Sequence, residues 1–238
     1  MDIKEIDILG DDVAMHWYYR SKAKAVKKLL RGEPMERILD VGAGSGFFSR
    51  SLLSQSHARE AWCVDISYTE DSESTQAGKP VHFRRSIDSV PAEVVLLMDV
   101  LEHVDDDIGL LKEYAAKVPA NTTFLVSVPA FQWLWSAHDV FLEHKRRYTL
   151  PQIEHVAQSA GLQVKRGAYY FGAVFPIAVA TRVMKKILKR GTDEPKSQLK
   201  KHNPLVNGVL GSLCALELAA LQHNRLAGLT AFCLAKTK

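Results

Sequence analysis

The chain has 238 residues, 47% hydrophobic and 24% charged, with a formal net charge of +4. This is enough for one sizeable α/β core and ordinary for a soluble globular protein. The mild charge makes no demand for nucleic acid. Three well-separated cysteines (Cys63, Cys214, Cys233) with no C-x-x-C argue for reduced, buried thiols in a cytosolic setting rather than disulfides or zinc. Met1 to Glu5 shows no charged-then-apolar leader pattern. No uninterrupted apolar run approaches the roughly 18 residues of a membrane span, so no spanning helix is expected.

In chain order, residues 12–31 are expected to form a helix. Val13, Trp17, Ala25, Val26, Leu29 and Leu30 supply its apolar positions, and Gly32 and Pro34 end it. Its opening patch, His16-Trp17-Tyr18-Tyr19-Arg20, suits a lid whose aromatics close over a ligand while Arg20 pairs with a carboxylate; plain packing against a sheet explains it equally. Strands are expected at 37–41, 60–65, 80–84, 93–99 and 122–128, with helices at 46–55, 67–76 and 105–117. Such alternation means a parallel sheet with right-handed crossovers. After Pro129 a loop of about 20 residues runs to Thr149-Leu150-Pro151, which opens a helix to Ala160 with Gly161 as its C′ residue. Strands at 162–171 and 229–235 complete a single domain spanning 1–238.

Between those last two strands lies an insert, 173–225, that the pattern divides into helices at 176–190 and 204–223. The first sets Ile177, Ala180, Met184, Ile187 and Leu188 opposite Arg182, Lys185, Lys186, Lys189 and Arg190. The second carries one charge, Glu217, and a stripe of Gly208, Ser212, Ala215 and Ala219. Two readings stand: a hairpin packed on the sheet or in a homodimer interface, and an amphipathic, basic-rimmed surface meeting a membrane through 174–223.

The densest motif is Ile38-Leu39-Asp40-Val41-Gly42-Ala43-Gly44-Ser45-Gly46, a buried strand, a glycine turn and a helix start. Glycines let the backbone approach a nucleotide-like ligand. The spacing is G-x-G-x-G, out of register with the dinucleotide fingerprint. Asp65 follows Gly46 by 19 positions at the end of a second apolar run, the place where an acid meets ribose hydroxyls in nucleotide-binding α/β folds. Capping of the next helix is its plainer role.

This glycine run with its leading aspartate resembles motif I of the class I S-adenosylmethionine (SAM) methyltransferases. The resemblance implies a Rossmann-like α/β fold with a seven-stranded, mostly parallel sheet in the order 3-2-1-4-5-7-6. It implies SAM as donor and S-adenosylhomocysteine as product. Asp40, Gly42, Ala43, Gly44 and Gly46 would surround the methionine part, and Asp65 with Ile66 the ribose. Ser86, Ile87 and Asp88 would flank the adenine, with Ser86-Ile87 standing where the family has an acid–small pair. Arg20 and Tyr19 would close over the donor.

Asp99-Val100-Leu101-Glu102-His103 looks like the family's motif after strand four, which puts Asp99 at the ligand-binding edge and makes His103 a base or acceptor contact. Asp105 to Asp107 suit a helix start. No metal is assigned, although Asp99, Asp139 and nearby histidines are the residues that would converge on one. The loop after strand five, Phe131-Gln132-Trp133-Leu134-Trp135-Ser136-Ala137-His138-Asp139 and on through Glu143-His144-Lys145-Arg146-Arg147-Tyr148, has a binding-loop composition. His138 is the first choice for general base and His144 the second, with Arg147 and Tyr148 shaping the acceptor pocket. This region is similar to a bacterial branch related to the ubiquinone-biosynthesis type, whose members are often associated with glycan or secondary-metabolite assembly.

The expectation is therefore methyl transfer to a small-molecule, sugar or lipid-linked glycan acceptor, at oxygen. The setting would be cytoplasmic, with peripheral contact at the inner face of the membrane. The alternatives are a non-catalytic SAM-binding scaffold and an NAD(P)-dependent oxidoreductase. A nucleic-acid substrate is disfavoured because no Asn/Asp-Pro-Pro-aromatic motif follows strand four.

Overall fold

The computed structural model describes residues 13, 15–187 and 203–238; the start of the expected first helix and the end of the 176–190 helix lie outside them. Helix α1 (Trp17–Leu29) is capped by His16, whose Nδ1 accepts from the Tyr18 N–H at 3.4 Å. Then come β1 (Arg37–Val41), α2 (Phe47–Gln55), β2 (Glu60–Val64), β3 (Ser72–Gln76), β4 (Lys79–Arg84) and β5 (Val94–Met98). A 3-10 turn (Leu101–His103) leads to α3 (Asp107–Ala116), β6 (Thr123–Pro129), α4 (Ala137–Phe141), α5 (Leu150–Ser159) and β7 (Gln163–Tyr170). The insert supplies α6 (Phe175–Ile187) and α7 (Pro204–Glu217) with a 3-10 extension (Leu218–His223), before β8 (Thr230–Lys236).

The sheet has eight strands in the order β3-β4-β2-β1-β5-β6-β8-β7. Without its edge strand β3, this is the expected 3-2-1-4-5-7-6 arrangement. The expected helix at 67–76 is corrected: Ser72–Gln76 pairs antiparallel with Lys79–Arg84. The segment Ser-Glu-Ser-Thr-Gln has no apolar stripe for a helix to bury, and short helices are not stable without one. Ala77 and Gly78 both have positive φ, +53° and +73°, as a tight hairpin turn of the primed kind requires.

Alternation along the strands divides the core between the two faces. Ile38, Leu96 and Met98 face α1, α2 and the insert, whereas Leu39, Val95 and Leu97 face α3 and α5. Every residue of β5 is buried, as a central strand covered on both sides demands.

β7 runs in the direction of β6, so the insert leaves and rejoins the sheet at the carboxyl edge of its parallel strands. It is tied down at several points. The Tyr170 hydroxyl donates to Cys214 O at 3.0 Å, and Asn207 accepts from Trp17 N at 3.0 Å and donates to Met15 O at 3.0 Å. Glu217, the one charge of the second insert helix, accepts from Gly172 N (2.7 Å) and Ala173 N (3.1 Å) just ahead of α6. Elsewhere α7 is open: Leu205 and Leu216 are 77% and 76% exposed. The stretch Pro204–His223 has 20 residues, a mean hydropathy of 1.6 in its most apolar window, and only 11% of that window buried. By length and composition it passes for a membrane span. Asn207, Ser212 and Glu217 interrupt the apolar run without undoing its average.

Candidate active site

The donor side is built at the end of β1. Gly42 N and Ala43 N donate to Val64 O at 2.7 and 3.2 Å, and Gly46 N closes the turn on Ala43 O at 2.9 Å. Gly42, Gly44 and Gly46 all have positive φ. At Gly42 a Cβ would stand 2.6 Å from a Val100 methyl, so the turn is sterically restricted to glycine. Asp65 sits at the tip of β2, as expected. Its Oδ2 accepts from Gly44 N at 2.9 Å, and its Oδ1 accepts from Ser67 N (2.9 Å) and Ser67 Oγ (2.6 Å). The Tyr68 hydroxyl donates to Gly44 O at 2.5 Å. Asp65 therefore closes a turn rather than starting a helix.

Asp40 lies beneath the glycine turn, fully buried, with its Oδ2 accepting from Ser49 Oγ at 2.6 Å. Burial pushes its pKa up to about 6. Ile66 is exposed, and Ser86 and Ile87 follow the end of β4 with Ser86 exposed and Ile87 packed against the core. Tyr19 is only 2% exposed and packs on Phe47, so it belongs to the core rather than to a lid. Arg20 faces an open groove of about 610 Å³ with Lys24, Ser45, Phe47 and Arg50. At the sheet edge α1 instead presents Tyr18, stacked on Phe171 at 4.9 Å, and Lys22.

Lys22 is completely buried and ion-paired with Asp99, with Tyr18 Oη 3.4 Å from its Nζ. Burial alone would lower the lysine's pKa, but the Asp99 carboxylate outweighs it and holds the pKa raised. Asp99 is lowered in turn: Lys22 overcomes the burial that opposes ionisation, and Ser127 Oγ donates to it at 3.1 Å. Sequence reasoning passed over Lys22. The signal was present, since a lysine sits on the buried stripe 19-22-23-26-29 of an amphipathic helix.

The second loop cluster folds around Asp139, which has no exposure. Arg147 donates to it twice, Nε to Oδ1 at 2.6 Å and Nη2 to Oδ2 at 2.9 Å. His144 Nδ1 lies 3.0 Å from Oδ1, and Ser136 N donates to Oδ2 at 2.8 Å as part of a capping box. Burial opposes the charge, yet these partners hold the Asp139 carboxyl far below the usual range. Arg147 and Tyr148 are themselves buried. The Tyr148 hydroxyl is held 2.8 Å from Asp107 Oδ2 and 3.1 Å from Leu101 O, and burial together with Asp107 pushes its pKa up. Both residues thus stiffen the loops, and the expectation that they line an acceptor pocket is corrected. Asp106 caps α3 through Gly109 N at 2.7 Å, as expected of a helix start.

The two loops meet at the imidazoles. His103 and His144 have ring centroids 4.9 Å apart, and Lys145 N donates to Glu102 O at 2.7 Å. Burial lowers the pKa of both His103 and His138 to about 4. His144 adds to the first effect; for His138, Asp139 opposes the shift while His144, Arg147 and Arg182 reinforce it. Glu102 is the other residue that sequence reasoning left without a role. It is fully buried, and its pKa is pushed well up by burial and by the charge of Asp99.

Four non-glycine residues with positive φ stand on loops leaving this edge: Asp99 (+57°), Phe131 (+59°), Glu143 (+59°) and Phe171 (+64°). Such strain concentrates where a site is held in shape.

A glycine turn with a carboxylate at the next strand tip, on a sheet whose last strand in the chain, β8, runs antiparallel between β6 and β7, is the arrangement of the class I SAM-dependent methyltransferases. Residues 15–166 match the family described as a methyltransferase domain, and the chain belongs to it. It is an enzyme that takes its methyl group from SAM. No curated protein matches the chain. Among solved structures, it is similar to a chain of the complex between the Haloferax volcanii Trm112 methyltransferase activator and a methyltransferase. That likeness has 18% identity, 99% of this chain and 97% of that one covered, and a TM-score of 0.57. A SAM-dependent methyltransferase from Archaeoglobus fulgidus aligns at 15% identity over 99% and 98% of the two chains, TM-score 0.56. Haemonchus contortus phosphoethanolamine N-methyltransferase 2, in complex with SAM, aligns at 14% over 98% of this chain and 55% of its own, TM-score 0.57. At these identities the likenesses speak for the fold alone.

Proposed function

We propose that the enzyme methylates a hydroxyl oxygen of a sugar, a lipid-linked saccharide or a small polyketide-like acceptor. The observation that carries this reading is the convergence of the glycine turn and the histidine-bearing loops on one sheet edge. SAM supplies an activated methyl group and a good leaving group, so the chain's residues need to align the partners, exclude water and remove the hydroxyl proton.

The glycine turn and Asp65 fit the donor. Positive φ at its three glycines and the Val100 side chain against Gly42 restrict the turn to glycine, and Asp65 offers acceptor oxygens to ribose hydroxyls. Ser86 and Ile87 would border the adenine. Asp99 would face the donor's amino group, with Lys22 balancing its charge, and Asp40 acts from below by holding the turn through Ser49. For the proton, His138 is the base: its depressed pKa keeps the imidazole neutral and able to accept at physiological pH. His144, anchored on Asp139 by the logic of an oriented catalytic histidine, is the second candidate.

The insert favours a lipid-linked acceptor at an anionic bilayer. Its exposed leucines stand at the same edge as the site. The sequence from Lys185 to Lys201 carries seven lysines and arginines against Asp193 and Glu194, a balance that suits anionic lipid. The protein would then be cytoplasmic and peripheral, and a homodimer through α7 is the competing outcome. Co-sedimentation with anionic vesicles, alongside sedimentation velocity, decides between them; a protein that stays in the supernatant as a dimer removes the membrane.

The deciding experiment incubates the enzyme and methyl-labelled SAM with an extract of its source cells, with Asp65→Ala as control. Label in the organic phase supports a lipid or lipid-linked acceptor, and label in the aqueous phase a soluble one. His138→Ala is expected to lower turnover at least a hundredfold with SAM affinity within about threefold. Unchanged turnover removes His138 from the mechanism.

A further inference from the structure

Glu102 has no role in the site described above. Both of its carboxylate oxygens are buried with no hydrogen-bond partner among the described residues, and the side chain has no exposure. A buried carboxyl group with no hydrogen-bond partner costs about 1–3 kcal/mol even when it is protonated, and more when it is charged, so a group with no compensating ligand is a poor thing to keep. Beside it stand His103 and His144. One ligand atom from each of the three residues lies within 4.8 Å of those of the other two. His144 is not loosely placed: its Nδ1 is committed to Asp139 at 3.0 Å, which leaves Nε2 for the cluster. Asp139 is in turn gripped by both arms of Arg147. A carboxylate holding the far nitrogen of a histidine is the usual outer support of a metal-binding imidazole. The same contact also fits an oriented base, but a base does not account for Glu102.

We propose that Glu102, His103 and His144 bind one divalent transition-metal ion, with Asp139 as the positioning residue behind His144. Two imidazoles and one carboxylate suit zinc, manganese, iron(II) or cobalt rather than calcium or magnesium. Atoms ligating such an ion at about 2.1 Å stand about 3.4 Å apart. The set therefore closes by side-chain rotation, and the backbones on either side are already fixed by Lys145 N on Glu102 O and His144 N on Asp139 O. Three protein ligands leave a coordination position open. On the methyl-transfer reading, which this role alone rests on, the open position faces the acceptor. A hydroxyl there would have its pKa lowered, its proton would pass to His138 outside the ligand set, and its oxygen would take the methyl group as the sulfonium carbon–sulfur bond breaks.

The test is metal binding itself, so it does not depend on finding an acceptor. Chelator-treated, full-length protein is titrated with Co²⁺ and followed by visible absorption, equilibrium dialysis and thermal unfolding. One ion per chain is expected, with a d–d band of low-symmetry coordination and a rise in Tm. Glu102→Gln keeps the shape and removes a ligand; it is expected to bind Co²⁺ at least tenfold more weakly and lose the Tm rise, while its SAM affinity and far-UV spectrum stay those of the parent. His144→Asn should do the same. Failure of the folded parent to bind one ion overturns the proposal, as does a stoichiometric signal unchanged in both variants, which would place the ion elsewhere. If the ion binds and no methyl transfer is found, the site stands and only its role in the reaction falls.

Discussion

Around the glycine turn, the bonds that hold the donor side join residues 9 to 24 positions apart: Ser49 to Asp40, Gly44 to Asp65, Tyr68 to Gly44. Across the edge, the acceptor loops combine a tight local network, in which Ser136, His144 and Arg147 reach Asp139 over 3 to 8 positions, with ties over much longer separations. Tyr148 meets Leu101 at 47 positions and Asp107 at 41, and between the two regions Lys22 meets Asp99 at 77. The first region is mostly backbone geometry with one buried carboxylate. The second buries the Asp139–Arg147 ion pair and the Tyr148–Asp107 hydrogen bond. Buried charges are tolerated only when paired, so the acceptor side owes its integrity to pairings that single substitutions destroy. The donor side owes its integrity to absent side chains.

The largest effect should come from Asp139→Ala. It leaves Arg147 and His144 facing an empty, buried position, and the loss of one partner of a buried pair costs about 3–5 kcal/mol. Chemical denaturation measures it. A loss below about 1 kcal/mol would mean that the network is solvated in solution and that the contrast with the donor side is false. Gly42→Ala comes next. A positive φ costs an L-residue about 1–2 kcal/mol, and crowding Val100 adds about 1–3, so a loss of about 3–4 kcal/mol is expected, accompanied by a fall in SAM affinity. Calorimetry with SAM checks the second part; a stable variant that binds SAM normally would show that the turn has room to spare.

The same contrast explains what could be read from the sequence. The donor side was legible because its signals are local: glycine spacing, a leading Asp40, and an acid 19 positions after Gly46. The seven expected strands and most helices followed from periodicity. The hairpin at β3 did not, because five polar residues carry no period and only the paired positive φ of Ala77 and Gly78 reveals a turn. On the acceptor side the histidines and Asp99 were legible as composition, but their partners were not. Nothing local in His16-to-Arg20 says that Lys22 will meet Asp99, or that Arg147 and Tyr148 will be spent on Asp139 and Asp107 rather than on an acceptor. Periodicity likewise showed that the insert is apolar without showing that Leu205 and Leu216 remain uncovered.

The donor side does hold one buried charge, and it makes the finest test. Asp40 has its pKa raised to about 6 by burial, so between the unfolded carboxylate value and pH 6 the folded chain holds a proton that the unfolded chain has released. Stability should then rise as the pH falls through 6 and level off near 4, the reverse of the Asp139 network, whose depressed pKa makes its contribution fade as the pH falls below the ordinary carboxylate range. Asp40→Asn keeps an oxygen for Ser49 and removes the ionisation. At pH 7 it is expected to stabilise by about 2–3 kcal/mol, and by much less at pH 4, so the gap between parent and variant should close on acidification. Thermal unfolding from pH 4 to 8 reads this directly. A gap that is constant with pH would mean that Asp40 titrates normally and that water reaches beneath the glycine turn. A destabilised variant at pH 7 would mean that the ionised carboxylate is itself holding the turn, as the charged groups hold the loops across the edge.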